Sequence, residues 1–209
     1  MEAGSTVEIR IDIPKFVICY DDREKKPFQF PQGVEVVRAH LPFGDYSVVG
    51  LEKRVAIERK SISDLVGTLW SKSELADGSK QSNLCRFAYE LDRMRSVNTD
   101  PSLFVRRYVV VEGSEDDLRN HFTFRQHTAE RFGHKQRANF ASTVGLISSL
   151  EMRYGAMFMF CRNREAAAAK VYASLYHFYR YAYGLSRDPV GDYKPQHYTT
   201  NDGNKKSGA

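Results

Sequence analysis

The sequence predicts an α/β domain built on a central mixed β-sheet that is flanked by α-helices. Four short apolar runs, each bounded by turn residues, occupy the first 60 residues. Farther along the chain, apolar runs alternate with amphipathic stretches of helical period, which is typical of an α/β sandwich. Hydrophobic residues make up 42% of the 209 positions, enough for the core of one domain.

The first four strands are predicted at residues 16–20, 34–41, 45–49 and 55–60. The charged run 21–26 ends the first strand, and Pro42-Phe43-Gly44 turns the chain between the second and the third. This succession of strands predicts a strongly curled antiparallel meander. Residues 1–14 precede it and are expected to form a flexible lead-in.

The rest of the chain is predicted to alternate between helices and strands. Residues 61–64 have the Ser-x-x-Asp pattern of a helix start, whereas 71–83, rich in Ser, Gly, Lys and Asp, indicate a mobile loop. Helices are then expected at 84–96, 114–120, 137–154 and 164–183, and strands at 108–111 and 156–161. Residues 15–185 thus form the predicted domain, and 186–209 a flexible tail.

Charge and cysteine content narrow the class of protein. A net charge of +5 and a pI near 9.0 favour a polyanionic partner. Cys19, Cys85 and Cys161 are widely spaced without a CxxC pair, which argues against a zinc site or disulfide framework and for a reducing compartment. No signal peptide and no apolar run of about 20 residues is visible, so we expect a soluble, intracellular protein that is neither secreted nor membrane-bound.

Two carboxylates and a lysine lie in or beside short apolar runs, where unpaired charge is costly. Alternation along the strand 55–60 places Glu58 and Lys60 on one face and Arg59 on the other. Asp45 follows the Pro-Phe-Gly turn and is expected to fold back beside Glu58. Such a group suits a hard, oxygen-seeking cation such as Mg²⁺ and a water molecule.

These residues belong to a longer ordered series of motifs. The order is Asp21-x-Arg23-Glu24, Gly44-Asp45, Glu58-Arg59-Lys60-x-x-x-Asp64, Arg86-Phe87 and finally Glu112-Gly113. It resembles the nuclease domain of the XPF/Hef structure-specific endonuclease family, whose signature is GDx(n)ERKx(3)D, within the broader PD-(D/E)xK group. The resemblance implies a restriction-endonuclease-like nuclease fold over residues 15–185.

The resemblance also implies an activity. It is hydrolysis of DNA phosphodiester bonds, dependent on Mg²⁺ or Mn²⁺, at branched, flap or duplex/single-strand junction DNA, in DNA repair or recombination. Members of the family pair through their nuclease domains, so a homodimer or heterodimer is expected. Tyr172, Tyr176, Tyr179 and Tyr183 of the last predicted helix are the candidate dimer face.

The resemblance assigns roles position by position. Asp45 and Glu58 are the expected metal ligands, with Asp21 as a further acidic member. Lys60 is expected to orient or activate water, Arg23 to contact the scissile phosphate, and Asp64 matches the last aspartate of the signature. Together these six are the candidate catalytic residues. The candidate DNA-binding residues are Arg23, Arg59 and Arg86 together with Arg125, Lys135 and Arg137, and the last three are chosen from the basic, aromatic-interleaved segment 119–137 and not from the resemblance.

Several alternatives stay open at this point. Asp64 also has the capping-box spacing from Ser61, and Glu58 with Lys60 also fits a surface ion pair. The basic, aromatic-interleaved segment 119–137 fits a DNA contact or a solvated loop. No helix-hairpin-helix motif follows the predicted domain, which leaves the source of junction preference open. The alternative functions are a catalytically silent DNA-binding or partner subunit, and a nuclease on the same scaffold that acts on RNA or cuts duplex without a structural preference.

Overall fold

The computed structural model describes residues 13–74, 76, 78–96, 105–131 and 138–185. Its thirteen elements within these ranges run in the following order: β1 Val17–Asp21, β2 Glu35–Ala39, β3 Tyr46–Val48, β4 Val55–Ser61, α1 Ile62–Trp70, β5 Lys72–Glu74, β6 Lys80–Ser82, α2 Asn83–Ser96, β7 Arg106–Glu112, α3 Glu115–Arg131, α4 Phe140–Tyr154, β8 Ala156–Cys161 and α5 Arg164–Ala182.

Six strands form the central sheet in the order β2-β1-β3-β4-β7-β8. The pairs β1–β3 and β3–β4 are antiparallel, whereas β4–β7 and β7–β8 are parallel. The sheet is therefore mixed and flanked by helices, which confirms the predicted fold class. Parallel pairing places the carboxyl ends of β4, β7 and β8 at one edge, and the candidate residues of β4 lie near this edge.

The predicted antiparallel meander is wrong at its first pair, because β2 runs parallel to β1. The connection between them crosses back over the sheet instead of forming a hairpin. Phe28 in this connection stacks on Tyr46 with ring centroids 5.2 Å apart, and its backbone N–H donates to the Tyr46 hydroxyl at 2.8 Å. Burial of this aromatic ring therefore anchors a crossover that the turn residues alone did not indicate.

Alternation along the strands builds two hydrophobic layers. On one face, Ile57 of β4 and Val110 of β7 pack in a cluster with Val171 and Leu175 of α5. On the other face, strand residues such as Val109 pack in a second cluster with α1, α2, α3 and α4. The same alternation decides which face carries each charged residue of β4, and this positions the site described below.

Three predicted elements differ in extent. Residues 71–83 contain the antiparallel pair β5–β6 and not only a loop. Helix α3 continues past Asn120 to Arg131, because Leu118 and Phe122, one turn apart, are both buried and no Gly or Pro interrupts the segment. Helix α4 begins at Phe140, where the Asn139 side chain caps it by accepting from the Ser142 backbone N–H.

The tyrosine stripe of α5 packs within its own chain. The Phe16 ring lies 6.1 Å from Tyr172, 5.3 Å from Tyr176 and 5.3 Å from Tyr179, and the Tyr179 hydroxyl donates to the Pro14 carbonyl. The candidate dimer face on α5 is thus partly covered by Pro14 and Phe16, which precede β1. The predictions for residues 1–12 and for the tail 186–209 fall outside the described residues.

Candidate active site

Gly44 brings Asp45 against β4. Its φ of 65° lies in the left-handed region, and a Cβ at this position would lie 2.9 Å from the Ile57 carbonyl oxygen. The close approach lets the Asp45 N–H donate to that same oxygen at 2.8 Å. In return, the Arg59 backbone N–H donates to Asp45 Oδ2 at 2.7 Å. Asp45 is therefore clamped beside Glu58, as the Gly-Asp motif predicted.

Lys60 and Glu58 lie on the same face of β4. The Lys60 ammonium donates to Glu58 Oε1 at 2.8 Å, and their side chains are 12% and 26% exposed. Lys60 Nζ also lies 5.0 Å from the centroid of the Phe87 ring of α2. The Lys60 ammonium thus contacts a half-buried carboxylate and does not extend into solvent. This argues against the alternative that Glu58 and Lys60 form only a surface ion pair.

The site carries more negative charge than its neighbours neutralise. The pKa of Asp45 is raised to about 7. Burial is the largest cause, followed by the negative charge of Glu58, and the hydrogen bond from the Arg59 backbone N–H lowers the pKa by less than either. Asp45, whose carboxyl resists ionisation beside Glu58, forms with Glu58 a donor set suited to a divalent cation, which would relieve their repulsion. The oxygen ligands present therefore fit Mg²⁺ or Mn²⁺.

Asp21 is fully buried and its carboxylate is already engaged by the protein. The Arg23 guanidinium donates to both of its oxygens, at 2.5 and 3.0 Å, and the Leu41 N–H donates to Oδ2 at 2.9 Å. Burial alone would raise the pKa of Asp21, but these hydrogen bonds outweigh it and hold that pKa below its usual range. In this structure, therefore, Asp21 anchors Arg23.

Asp21 also borders a different acidic group. Among the described residues, the ligand atoms of Asp21, Asp22 and His40 lie within 4.8 Å of one another. Arg23, whose side chain is 67% exposed, extends from this corner towards the cleft that Asp45 and Glu58 line. Its place as a candidate phosphate contact stays a prediction, as does metal ligation by Asp21.

Asp45 and Glu58 line an open cleft of about 470 Å³ that Asp21 and Arg23 also line. Its polar wall contains Asp21, Arg23, Glu24, Lys25, Asp45, Glu58, Glu90 and Arg93. Glu90 was not predicted. Burial, and next the charge of Glu58, raise its pKa, so it belongs to the same electrostatic group. The sequence contains a pattern that could have indicated Glu90, because it follows Arg86 of the Arg86-Phe87 motif by one helical turn on α2.

Arg59 points to the opposite face, as alternation along β4 predicted. Its guanidinium pairs with Glu24 at 3.2 Å and with Glu112 of β7 at 2.5 Å, and Glu112 also binds Arg164 of α5 at 2.7 Å. Arg164 Nη2 donates to the Pro27 carbonyl at 3.1 Å. This network fixes the loop that carries Arg23 and Glu24, so Arg59 has a structural role. Its DNA contact stays a prediction.

The other predicted site residues either lie outside the cleft wall or belong to the part of the chain that the structure does not describe. Asp64 is exposed at the start of α1, where its backbone N–H and carboxylate both bond to the Ser61 hydroxyl, which makes it part of the helix cap. Arg86 is exposed on α2. Arg125 lies in α3, but the structure describes only its backbone. Lys135 and Arg137 fall outside the described residues. Their roles in catalysis or DNA binding stay predictions.

Comparison with known proteins places this chain in a family. A family model described as the ERCC4 domain matches residues 20–174. The chain belongs to the ERCC4 domain family. This confirms the XPF-type nuclease family that the motifs indicated. No curated protein matches the chain. Within the described ranges, none of the helices of this ERCC4 domain combines the length and hydropathy of a membrane span.

Two solved structures are similar to the ERCC4 domain of this chain. XPF from Aeropyrum pernix aligns with a TM-score of 0.50 at 20% identity, over 77% of this chain and 60% of that one. XPF from Aeropyrum pernix in complex with DNA aligns with a TM-score of 0.48 at 22% identity, over 78% and 64%. This chain therefore spans less than two thirds of either matched chain. At these identities, the similarity to the first structure shows a shared fold alone.

Proposed function

We propose that the protein is a metal-dependent DNA endonuclease. The observation that carries the proposal is the convergence of Asp45 and Glu58 at one wall of an open cleft, with Lys60 Nζ 2.8 Å from Glu58 Oε1. Membership of the ERCC4 domain family supports nuclease chemistry, and the net charge of +5 supports a polyanionic substrate.

The proposed reaction is hydrolysis of a phosphodiester by in-line attack of water. The water oxygen bonds to phosphorus as the opposite P–O bond to a sugar oxygen breaks, and the products are a phosphate monoester and a sugar hydroxyl that has gained a proton. Lys60 orients the water and donates a hydrogen bond to it, while Arg23 holds a non-bridging phosphate oxygen. Asp45 and Glu58 would hold the divalent cation, which when bound would stabilise the charge that develops on the phosphate. Arg59, paired with Glu24 on the far face, keeps the Arg23 loop in place.

The proposed substrate is branched, flap or duplex/single-strand junction DNA, in repair or recombination. This follows the XPF-type resemblance, and a DNA substrate also implies an intracellular location. Pairing with a second nuclease domain, identical or different, is part of the proposal. Because Phe16 partly covers the α5 tyrosines, such pairing needs other surfaces as well.

A second candidate is a catalytically silent DNA-binding subunit. The observation that favours it is that two of the three acidic residues already have cationic protein partners. Lys60 binds Glu58, and Arg23 binds Asp21. A closed network of this kind is stable without a cation and suits a domain that only binds DNA.

One cleavage experiment separates these candidates. The purified protein is incubated with 5′-labelled flap, fork, nicked duplex and RNA substrates, in Mg²⁺, Mn²⁺ or EDTA. The proposal predicts cleavage of branched DNA with metal and none in EDTA. A silent subunit binds the same DNA without cutting it, and cleavage of RNA alone would replace DNA as the substrate.

Lys60→Ala is the decisive variant in this assay. We expect it to lower the cleavage rate by about 100-fold or more, since it removes the group that positions the nucleophile. Its DNA affinity should stay within about threefold, because the change lies at the reacting centre. Lys53→Ala, in the exposed turn before β4 and far from the cleft, is the matched control. Full activity of Lys60→Ala contradicts the assignment.

A further inference from the structure

Helix α2 carries a charged and aromatic stripe on its outer surface. Arg86, Tyr89, Glu90 and Arg93 are spaced at i, i+3, i+4 and i+7, which places them on one face of the helix. Tyr89 is 65% exposed, whereas Phe87 in the same turn is 3% exposed and packs in the core. A large aromatic side chain is therefore displayed to solvent between two arginines.

The stripe borders the proposed active site. Glu90 and Arg93 line the cleft. The Arg93 guanidinium lies 5.5 Å from the ring of Phe43, in the turn that leads to Asp45. The positive charge of Arg86 acts on Glu90 and opposes the rise in the pKa of that carboxyl. Tyr89 thus lies on the exposed face of α2, next in sequence to Glu90 and one helical turn before Arg93, both of which line the cleft.

We propose that Tyr89 is a stacking platform for an unpaired base of the DNA strand that enters this cleft, with Arg86 and Arg93 contacting the flanking phosphates. Exposed aromatic rings beside cations are the usual means of holding single-stranded nucleic acid, because every base has a π-face. The inference rests on the proposed function, and it names the residue that would make the cleft prefer a single-stranded arm.

The physical basis of the preference is access to the base. In an intact duplex the faces of the bases stack on one another, so only their edges are open to a protein side chain. A base in a flap or at a fork junction presents its face at no pairing cost. Tyr89 therefore distinguishes an unpaired strand from a duplex, while the two arginines bind the phosphates of either.

The test measures binding separately from cutting. All proteins carry Lys60→Ala, in the presence of Mg²⁺, so that the result does not depend on whether the wild type cleaves DNA. Fork and fully paired DNA of the same length are titrated by fluorescence anisotropy. 2-Aminopurine placed at each of the first unpaired positions of the fork reports stacking by quenching of its emission.

Tyr89→Ala is expected to weaken fork binding by about tenfold and duplex binding by less than about twofold. The quenching at one 2-aminopurine position is expected to disappear. Tyr89→Phe should retain both, since it keeps the ring. The matched control is Tyr181→Ala, an equally displayed tyrosine that is 56% exposed on α5, on the other face of the sheet. Thermal melting confirms that each variant is folded.

Four results overturn the proposal. The first is an equal loss of fork and duplex affinity in Tyr89→Ala. The second is unchanged fork binding in that variant. The third is an absence of quenching at every unpaired position with the parent protein. The fourth is a loss in Tyr89→Phe as large as in Tyr89→Ala. Absent cleavage by the wild type, by contrast, refutes the nuclease proposal and leaves this binding result to be decided by its own assay.

The salt dependence tests the arginines independently. Arg86→Ala and Arg93→Ala should each lower the slope of log affinity against log salt by about 0.7 to 0.9, the value for one phosphate contact. Tyr89→Ala should leave this slope unchanged, because stacking releases no counterions. An unchanged slope in both arginine variants contradicts the phosphate contacts.

Discussion

Asp45→Asn is expected to stabilise the metal-free protein at alkaline pH while abolishing cleavage. The folded protein raises the pKa of Asp45 from 3.8 to about 7, chiefly through burial and secondarily through the charge of Glu58. Between these two pH values the folded state holds a proton that the unfolded chain has released. The free energy of unfolding therefore falls as pH rises through this window, and the penalty is complete above about pH 7.

The size of the effect follows from the shift. Three pKa units at about 1.36 kcal/mol each give about 4 kcal/mol. Because the carboxyl is only partly buried, solvent screening reduces this, and we expect about 2 kcal/mol to be realised. Asn keeps the acceptor oxygen that the Arg59 N–H needs, so the hydrogen bond to β4 is retained. The gain corresponds to a rise in Tm of about 4–8 °C for a domain of this size.

The assay compares thermal unfolding of wild type and Asp45→Asn in EDTA at about pH 8 and about pH 4. We expect the variant to be more stable at the higher pH and nearly equal at the lower one. Adding Mg²⁺ at the higher pH should raise the Tm of the wild type and not that of the variant, because the variant lacks one of the two proposed carboxylate ligands.

Two outcomes would refute this reasoning. If Asp45→Asn were destabilised by the same amount at both pH values, Asp45 would contribute only a hydrogen bond and no electrostatic penalty. If Mg²⁺ stabilised both proteins equally, the cation would bind without Asp45, and the proposed ligand pair would be wrong. Lys53→Ala serves again as a control for non-specific effects of metal on the fold.

Two further predictions concern the elements that hold the site. Gly44→Ala should lower the free energy of unfolding by about 2 kcal/mol, measured in urea, because its Cβ meets the Ile57 carbonyl at 2.9 Å in a left-handed conformation. Gly67→Ala in α1, where nothing lies within 4 Å, should be neutral or stabilising, and equal losses in both would contradict the reason given. Arg59→Ala should cost about 3 kcal/mol, since it leaves Glu112 without one cationic partner. Adding Glu112→Gln should recover part of this loss, and strict additivity of the two changes would exclude the pairing as the cause.

The sequence was sufficient for features set by local periodicity and by motif order. The period of two along β4 placed Glu58 and Lys60 on one face and Arg59 on the other, and the structure confirms both. The Ser-x-x-Asp pattern at residues 61–64 predicted the start of α1, which the Ser61 cap confirms. The order of the motifs indicated the nuclease family, which the family match confirms.

The sequence was insufficient where distant segments meet. No local pattern shows that the Leu41 N–H, 20 residues along the chain, donates to Asp21 Oδ2. The parallel pairing of β2 with β1 likewise depends on Phe28 finding Tyr46. Glu90 lies at the site because α2 packs on the sheet through Phe87 and Leu91, in the cluster that contains Val109 and Val111 of β7.

What the sequence by itself determined is thus the identity of the acidic and basic groups, their face on each strand and the family they belong to. Backbone geometry dictates these, since side chains alternate with a fixed period in any strand. What only the tertiary structure decided is which charges are paired. Arg59 and Glu112 are 53 residues apart in the chain, and their contact exists because β4 and β7 lie side by side in parallel. Pairing across a sheet depends on strand order, which local sequence does not encode.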